Sequence, residues 1–355
     1  MVSKNSEETL IRQLYQELYS RIKQGIYPDG SKLPGSNKLA REFEVSRSTV
    51  DSAIDLLVRK RYLERRSRSG TYVLDRKLRI LYIWHHAQKE FDPGDFNEDM
   101  AINQLLLHGL YVESPAFGME ITSEYILRQI TGTETDEQFF RRTAEAFDGA
   151  VIRGFDPNVE KLLVKHQIPY AKWSGRCERA RGGCTITDDR RQAFRGIISR
   201  LKEKDYRKIF IITAGHADPS CSTHKNLEEK TAEFARMAAE EGLTETVRKH
   251  IAAEADWELF KTLTPQDAVF CTHTNMVSKI YIFCQKNGMT VGKNFGLFGY
   301  ASGMTFAHLY PETSYGQIDF RSICRQLCCS LQNMILAGEY ADVQIPSTFV
   351  EGASL

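Results

Sequence analysis

Apolar side chains return at helical spacing in three stretches near the start of the chain, and then the pattern switches to alternation. Ile11, Leu14, Leu18 and Ile22 predict an amphipathic helix opened by Glu7 and Glu8 and closed at Gly25. Leu39, Ala40 and Phe43 predict a short second helix over Lys38 to Phe43, followed by a tight turn at Glu44 and Val45. Val50, Ala53, Ile54 and Leu57 mark a third helix, with Ser46 placed to cap it. Two β-prone runs, Tyr62 to Arg66 and Thr71 to Val73, then bracket the turn Ser67-Arg68-Ser69-Gly70.

Two helices joined by so short a turn make a helix-turn-helix. The third helix presents Arg47, Ser48, Thr49, Asp51 and Ser52 opposite its apolar stripe, side chains suited to base edges and phosphates in a major groove. Lys38 and Arg41 on the second helix, and Arg66, Arg68 and Gly70 in the hairpin, complete the expected DNA surface, the hairpin serving as a basic wing. Charge supports the division. Residues 1–77 hold 16 Lys+Arg against 10 Asp+Glu, and residues 78–355 hold 31 against 36. A basic module inside a chain of net charge +1 is what phosphate contact requires.

From these patterns we expect a DNA-binding domain over residues 1–74, a linker over 75–78 and a third region over 79–355. In that third region strands alternate with helices, which predicts parallel α/β sheets. Expected strands are 79–84, 118–122, 149–152, 170–173, 208–213, 246–251, 268–272 and 294–298; expected helices include 97–108, 136–147, 190–204, 227–241 and 278–287. The length suits two lobes, roughly 79–185 with 320–340 and roughly 186–318 with 341–355. In such sheets ligands bind beyond the carboxyl ends of the strands. The residues there are His85 and His86, Arg153, Ser174 and Arg176, His216, His273 with Thr274 and Asn275, and Tyr300, with Trp84 and Trp173 beside them. Polar groups mixed with flat aromatics suit a sugar, and Arg153 and Arg176 would equally suit the carboxylate or phosphate of a sugar derivative.

Eight cysteines are scattered without a CxxC pair, so neither a zinc ribbon nor a disulfide framework is indicated, and they are expected to be reduced and buried. No metal and no cofactor is expected. There is no Walker loop, no GxGxxG after a strand and no HExxH, so the chain is expected not to be an enzyme. The start MVSKNSEETL lacks the apolar core of a signal peptide, and no membrane partner is expected; the expected location is the cytoplasm.

The run from about Leu10 to Val73 resembles the DNA-binding domain of the GntR family of bacterial regulators. The match rests on Gly25 to Gly30, Leu33-Pro34, Leu39-Ala40, Val45 to Val50, Ala53, Leu57 and Gly70 to Val73. Asn37 and Asp51 stand where that family often has Arg. From about Leu78 onward the chain resembles the sensor domain of the LacI family, itself built like periplasmic sugar-binding proteins. The landmarks are Phe147 to Ile152, Ile168-Pro169-Tyr170, Asp189, Tyr206 to Ile209, Ala268 to Thr272, Gly296 to Tyr300 and Ile345 to Ser354. Lys230 takes the place of an effector-binding Arg, while Thr274 and Ala301 each take the place of an Asp. The combination resembles the arabinose-repressor branch. It implies a winged helix-turn-helix followed by a two-lobed periplasmic-binding-protein-like domain with parallel sheets. It also implies a homodimer on a near-palindromic operator, with a sugar or sugar derivative between the lobes relieving repression. A regulator whose cleft binds nothing, and a DNA-linked sugar-modifying enzyme, are the alternatives left open by the residues.

Overall fold

The computed structural model describes residues 7–74, 77–85, 98–126, 130–154, 156–174, 180, 182–214, 222–251, 254–271, 274–301, 306 and 308–355. The N-terminal head is α1 (Glu7–Lys23), α2 (Ser36–Glu42), α3 (Arg47–Arg59) and an antiparallel hairpin of β1 (Leu63–Arg66) and β2 (Gly70–Val73). Each helical stripe is buried as its spacing requires: Leu14, Leu18 and Ile22 from α1, Leu39 from α2, and Val50, Ala53, Ile54 and Leu57 from α3. The sharp turn between α2 and α3 is made by Glu44 in the left-handed region, at φ 54°.

The sensor follows. Its first part runs β3 (Leu78–His85), α4 (Glu98–Glu113), a 3-10 turn at Ser114–Phe117, β4 (Met119–Ile126), α5 (Glu134–Ala146), β5 (Gly149–Arg153), α6 (Pro157–Lys165), β6 (Tyr170–Trp173) and β7 (Cys184–Asp189). The second part runs α7 (Arg191–Glu203), β8 (Lys208–Ala214), α8 (Ser222–Glu240), β9 (Glu245–Ile251), a 3-10 segment at Glu254–Thr262, β10 (Asp267–Cys271), α9 (Thr274–Lys286), β11 (Gly296–Ala301) and β12 (Ser314–Gln317). The chain then returns through α10 (Phe320–Ala337), β13 (Val343–Pro346) and β14 (Thr348–Val350).

Two six-stranded sheets result. The first, in order β13-β7-β6-β5-β3-β4, is wholly parallel; the second, β14-β12-β11-β10-β8-β9, is parallel except for its edge strand β14. The chain passes between the sheets after Asp189, after Gln317 and after Pro346. The sheet boundaries therefore fall a few residues later than the sequence suggested, because Ile186 to Asp189 pair with Val343 to Pro346 and stay in the first sheet. β7, β12, β13 and β14 escaped the sequence reading for one reason. Segments such as CTITDD and SYGQ mix polar and apolar residues too evenly to mark a buried strand.

Helix α10 organises the first lobe. Asp319 caps it by accepting the Ser322 amide at 3.0 Å, and Gly338 ends it in the left-handed region at φ 72°. Its buried stripe of Ile323, Cys324, Leu327, Leu331 and Met334 packs on β6 and β7, on α4 and on α1 of the head. At Gly109 on α4 a side chain would stand 2.5 Å from the Cys324 sulfur, so only glycine permits this approach. One apolar cluster runs from Leu14, Leu57 and Val73 in the head into Ile80, Leu106 and Leu331 in the lobe.

A polar contact lies beside it. The Asp148 carboxylate is 3% exposed; it accepts the Arg79 amide at 2.8 Å and lies 4.0 Å from the Lys60 ammonium at the end of α3. Asp148→Asn, which can still accept the amide, is expected to cost under about 1 kcal/mol, because a long ion pair to a partly exposed lysine is weak. Asp148→Ala, which orphans the amide, is expected to cost about 1–3 kcal/mol. Denaturant midpoints check this, and equal losses would show that the charge rather than the amide bond holds the junction.

Candidate nucleic-acid interface and ligand cleft

Ser46 precedes α3 with extended backbone, φ −67° and ψ 152°, and its hydroxyl oxygen accepts the Thr49 amide at 3.1 Å. The same oxygen lies 2.7 Å from the hydroxyls of both Ser48 and Thr49. This local arrangement corrects one expectation. Thr49 is 3% exposed and its hydroxyl is turned to the cap, so it is withdrawn from the exposed face of α3. Arg47 and Ser48 remain exposed at the start of the helix, and Lys38 and Arg41 are exposed on α2.

Asp51 is half-buried and engaged within the head. It accepts the Ser36 hydroxyl at 2.6 Å and lies 3.5 Å from the Arg47 guanidinium. Its charge therefore orients Arg47 and is partly cancelled by it. On the wing, Arg66 stacks 4.4 Å over the Tyr72 ring and bonds Glu64 at 2.8 Å, while Arg65 pairs with Asp55 of α3 at 2.7 Å. Arg68 sits exposed at the tip, itself left-handed at φ 56°. Gly70 has φ 119°, and any side chain there would meet Lys32 at 2.6 Å. The tip geometry thus depends on that glycine.

In the sensor, the carboxyl ends of the two sheets meet. Tyr300, at the end of β11, donates its hydroxyl to Asp188 at 2.7 Å, at the end of β7, and lies 2.6 Å from Ser347 in the last crossover. Burial, with the adjacent Asp188 charge, holds the Tyr300 phenol well above its ordinary range. Tyr300 is 2% exposed. Its hydroxyl belongs to the hinge, which corrects the expectation that it turns toward ligand. Arg190, 5% exposed, joins this network by donating to Asp188 at 3.3 Å and to Asn226 at 2.6 Å, with Glu233 at 3.8 Å. Lys230, 6% exposed, lies with its ammonium 5.2 Å from the Tyr300 ring centre.

The first sheet offers a rank of large side chains at its carboxyl edge. Trp84 is in register with Tyr125, Ile83 with Ile152, and Arg153 with Trp173. In-register neighbours share a face, so Tyr125, Trp84, Arg153 and Trp173 form one row across four strands. The Trp84 and Tyr125 rings are 4.4 Å apart, and the Arg153 guanidinium lies 5.9 Å from the Trp173 ring centre. Trp173 also meets Phe320 of α10 at 5.2 Å. Neither indole N–H, of Trp84 or of Trp173, has a hydrogen-bond partner among the described residues. A buried donor left unpaired costs about 1–3 kcal/mol.

Of the residues expected in the cleft, the structure thus places Arg153 and Trp173 on the first sheet and Lys230 and Tyr300 on the second side. His85 ends β3, and Thr274 and Asn275 begin α9, placed by their backbone alone. Arg176 and His273 lie outside the described residues, as do His86 and His216. Sequence reasoning missed Tyr125, because the expected strand stopped at Thr122, and Asp188 and Arg190, because they fell in an unrecognised strand end. Among the described cysteines five are buried and Cys329 is half-buried; burial pushes the Cys328 thiol up to about 12. No helix among the described residues is long and apolar enough to cross a membrane.

Comparison with known proteins agrees with this geometry. Residues 10–73 match the family model of bacterial regulatory proteins of the gntR family, and residues 198–355 match that of the periplasmic binding protein-like domain. The uncharacterized HTH-type transcriptional regulator YurK of Bacillus subtilis is 38% identical over 91 residues, 26% of this chain and 38% of that protein. The arabinose metabolism transcriptional repressor of Halalkalibacterium halodurans is 38% identical over 69 residues, 19% of this chain and 18% of that one. The chain thus spans well under half the length of these curated relatives. A LacI family transcriptional regulator from Enterococcus faecium with bound ribose shares the fold, with TM-score 0.57 and 12% identity over 77% of this chain and 97% of its own. The chain therefore carries a GntR-type DNA-binding domain followed by a periplasmic-binding-protein-like α/β domain.

Arg68→Ala is expected to lower the slope of log affinity against log salt for duplex DNA by about 0.9, the release of one phosphate contact. Thr49→Val is expected to leave that slope unchanged. Fluorescence anisotropy at several salt concentrations measures both, and a reduced slope for Thr49→Val would return that residue to the DNA surface.

Proposed function

We propose that this chain, a GntR-type winged head on a two-sheet sensor, is a transcription regulator whose affinity for an operator is set by a small molecule bound between the sensor's lobes. The observation that carries this reading is the continuity of one apolar cluster from the head into the first lobe, beside a hinge of three crossovers. A ligand that favours one closure of the hinge thereby acts on an element packed against the DNA-binding head. The effector is a monosaccharide or sugar derivative, a choice supported by the Trp84, Arg153 and Trp173 rank and by fold neighbours such as the ribose-bound regulator. No chemical step is part of this function.

The protein acts as a repressor, in the cytoplasm, and as a homodimer. Two heads related by a two-fold axis read a near-palindromic site, with half-sites about one helical turn or a multiple apart. Exposed Arg47 and Ser48 at the start of α3 contact bases, while Lys38, Arg41, Arg66 and Arg68 contact the phosphates.

Ligand can change operator affinity only by its difference in affinity for the two hinge states, and a tenfold change requires about 1.4 kcal/mol. The test measures thermal stability against neutral and derivatised sugars, then operator affinity with and without each hit. A saturating ligand at a hundred times its dissociation constant is expected to stabilise the fold by about 2.7 kcal/mol. It is also expected to weaken operator binding by at least about fivefold, given couplings of about 1–3 kcal/mol. Tighter operator binding with ligand would overturn the sign and make the sugar a corepressor.

A further inference from the structure

Where α3 ends, the head and the first lobe enclose a small recess. The head lines it with Arg59, Lys60 and Arg61, and the lobe with Arg79 near the start of β3 and with Glu145 and Asp148 around the end of α5. Its volume is about 80 Å³, room for a group the size of a phosphate. Phe147 backs it and carries the Arg79 guanidinium 5.2 Å from its ring centre. Lys60 lies 4.0 Å from Asp148, which also accepts the Arg79 amide, so those two charges are set against each other. Arg59, Arg61 and Arg79 then face one further carboxylate, Glu145, and none of the three pairs with a carboxylate among the described residues. Three cations against one anion leave two positive charges in the recess.

The dipole at the carboxyl end of α3 accounts for Arg59 and Lys60. It does not account for Arg79, which comes from the other domain, or for Arg61, which stands beyond the helix in the left-handed region at φ 59°. Like charges gathered from two domains repel unless an anion lies between them. A guanidinium fork takes a carboxylate or a phosphate. Two net positive charges select the phosphate, which carries close to two negative charges at neutral pH, whereas a carboxylate would leave one cation over. A free anion suits this place better than the DNA backbone does. Twelve residues separate Arg59 from Arg47 at the DNA-facing start of α3, about 18 Å along the helix, or about twice the screening length of roughly 8 Å at physiological salt.

We infer that this recess is a second ligand site, which takes a free phosphate-bearing anion between Arg59 and Arg61 of the head and Arg79 of the lobe. It is separate from the cleft between the lobes and stands whatever the cleft binds. An anion held by cations of both domains adds a tie across the joint, so its occupancy changes how firmly the head is seated and thereby its affinity for DNA. The linkage is reciprocal, and bound DNA changes the affinity for phosphate by the same factor.

The experiment titrates the full chain with inorganic phosphate and with pyrophosphate by calorimetry, at constant ionic strength made up with chloride. Affinity for duplex DNA is measured by fluorescence anisotropy in the same buffers. At least one of the two anions is expected to bind saturably. Arg61→Gln and Arg79→Gln are each expected to weaken that binding at least about tenfold, the loss typical of one charge-assisted hydrogen bond. The bound anion is expected to shift the affinity of the wild-type chain for DNA by at least about fivefold, and to leave that of Arg79→Gln unmoved. If Arg79→Gln does not fold, Arg59→Gln at the exposed end of α3 takes its place. No saturable binding beyond the chloride control overturns the inference, and so does binding that all three variants retain, which puts the anion elsewhere. Absent phosphate binding together with a salt slope for DNA lowered by about 0.9 in Arg79→Gln reassigns the recess to the DNA backbone. Bound phosphate with unchanged affinity for DNA overturns the coupling across the joint.

Discussion

Burying the stripe of α10 on three partners at once is the constraint from which the architecture follows. Ile323, Cys324, Leu327 and Leu331 cannot face water, and they are covered by the first sheet, by α4 and by α1 of the head. Close approach to α4 requires the absent side chain of Gly109, and approach to the head requires α1 to keep its own apolar stripe. The DNA-binding module is thus seated on the lobe by the same kind of packing that holds the lobe together. Orientation of the head becomes a property of the sensor's core rather than of the linker.

The hinge shows a different balance. Asp188, Arg190, Tyr300 and Ser347 are nearly water-free, and polar groups in such a place are tolerated only when matched. Tyr300 reaches from the second sheet to Asp188 of the first, so the two carboxyl edges are tied at the point where the chain crosses between them. Buried pairing of this kind fixes geometry more than it adds stability. It sets a pivot about which the two lobes keep their register, while the indole N–H groups of Trp84 and Trp173 stay unmatched among the described residues.

The head was legible almost to the residue because its signals are local: apolar spacing, the Ser46 cap, and the glycine of the wing. Thr49 was misread because spacing tells which face a residue occupies but not that a capping hydroxyl will draw it inward. In the sensor, strongly apolar strands announced themselves, as LRILYIW does for β3, and the edge strands β4 and β9 were legible too, whereas β7, β12, β13 and β14, where the chain crosses between the sheets, were not. Strand-end logic placed Arg153 and Trp173 correctly at the carboxyl edge. It could not say that Tyr300 continues the face of Phe298 and spends its hydroxyl on Asp188, since that partner is 112 positions away in the chain.

The shared cluster between head and lobe also bears on how such a protein can be assembled from parts. A DNA-binding module joined only by a tether can be exchanged for another at no cost to either piece. Here a transplanted head would need to bring a first helix complementary to α10 and a cation near Asp148, or leave apolar surface bare on both sides of the joint. Recombination between regulators of this build should then preserve α1 and α10 as a matched pair, while the exposed face of α3 and the wing tip drift freely to new operators.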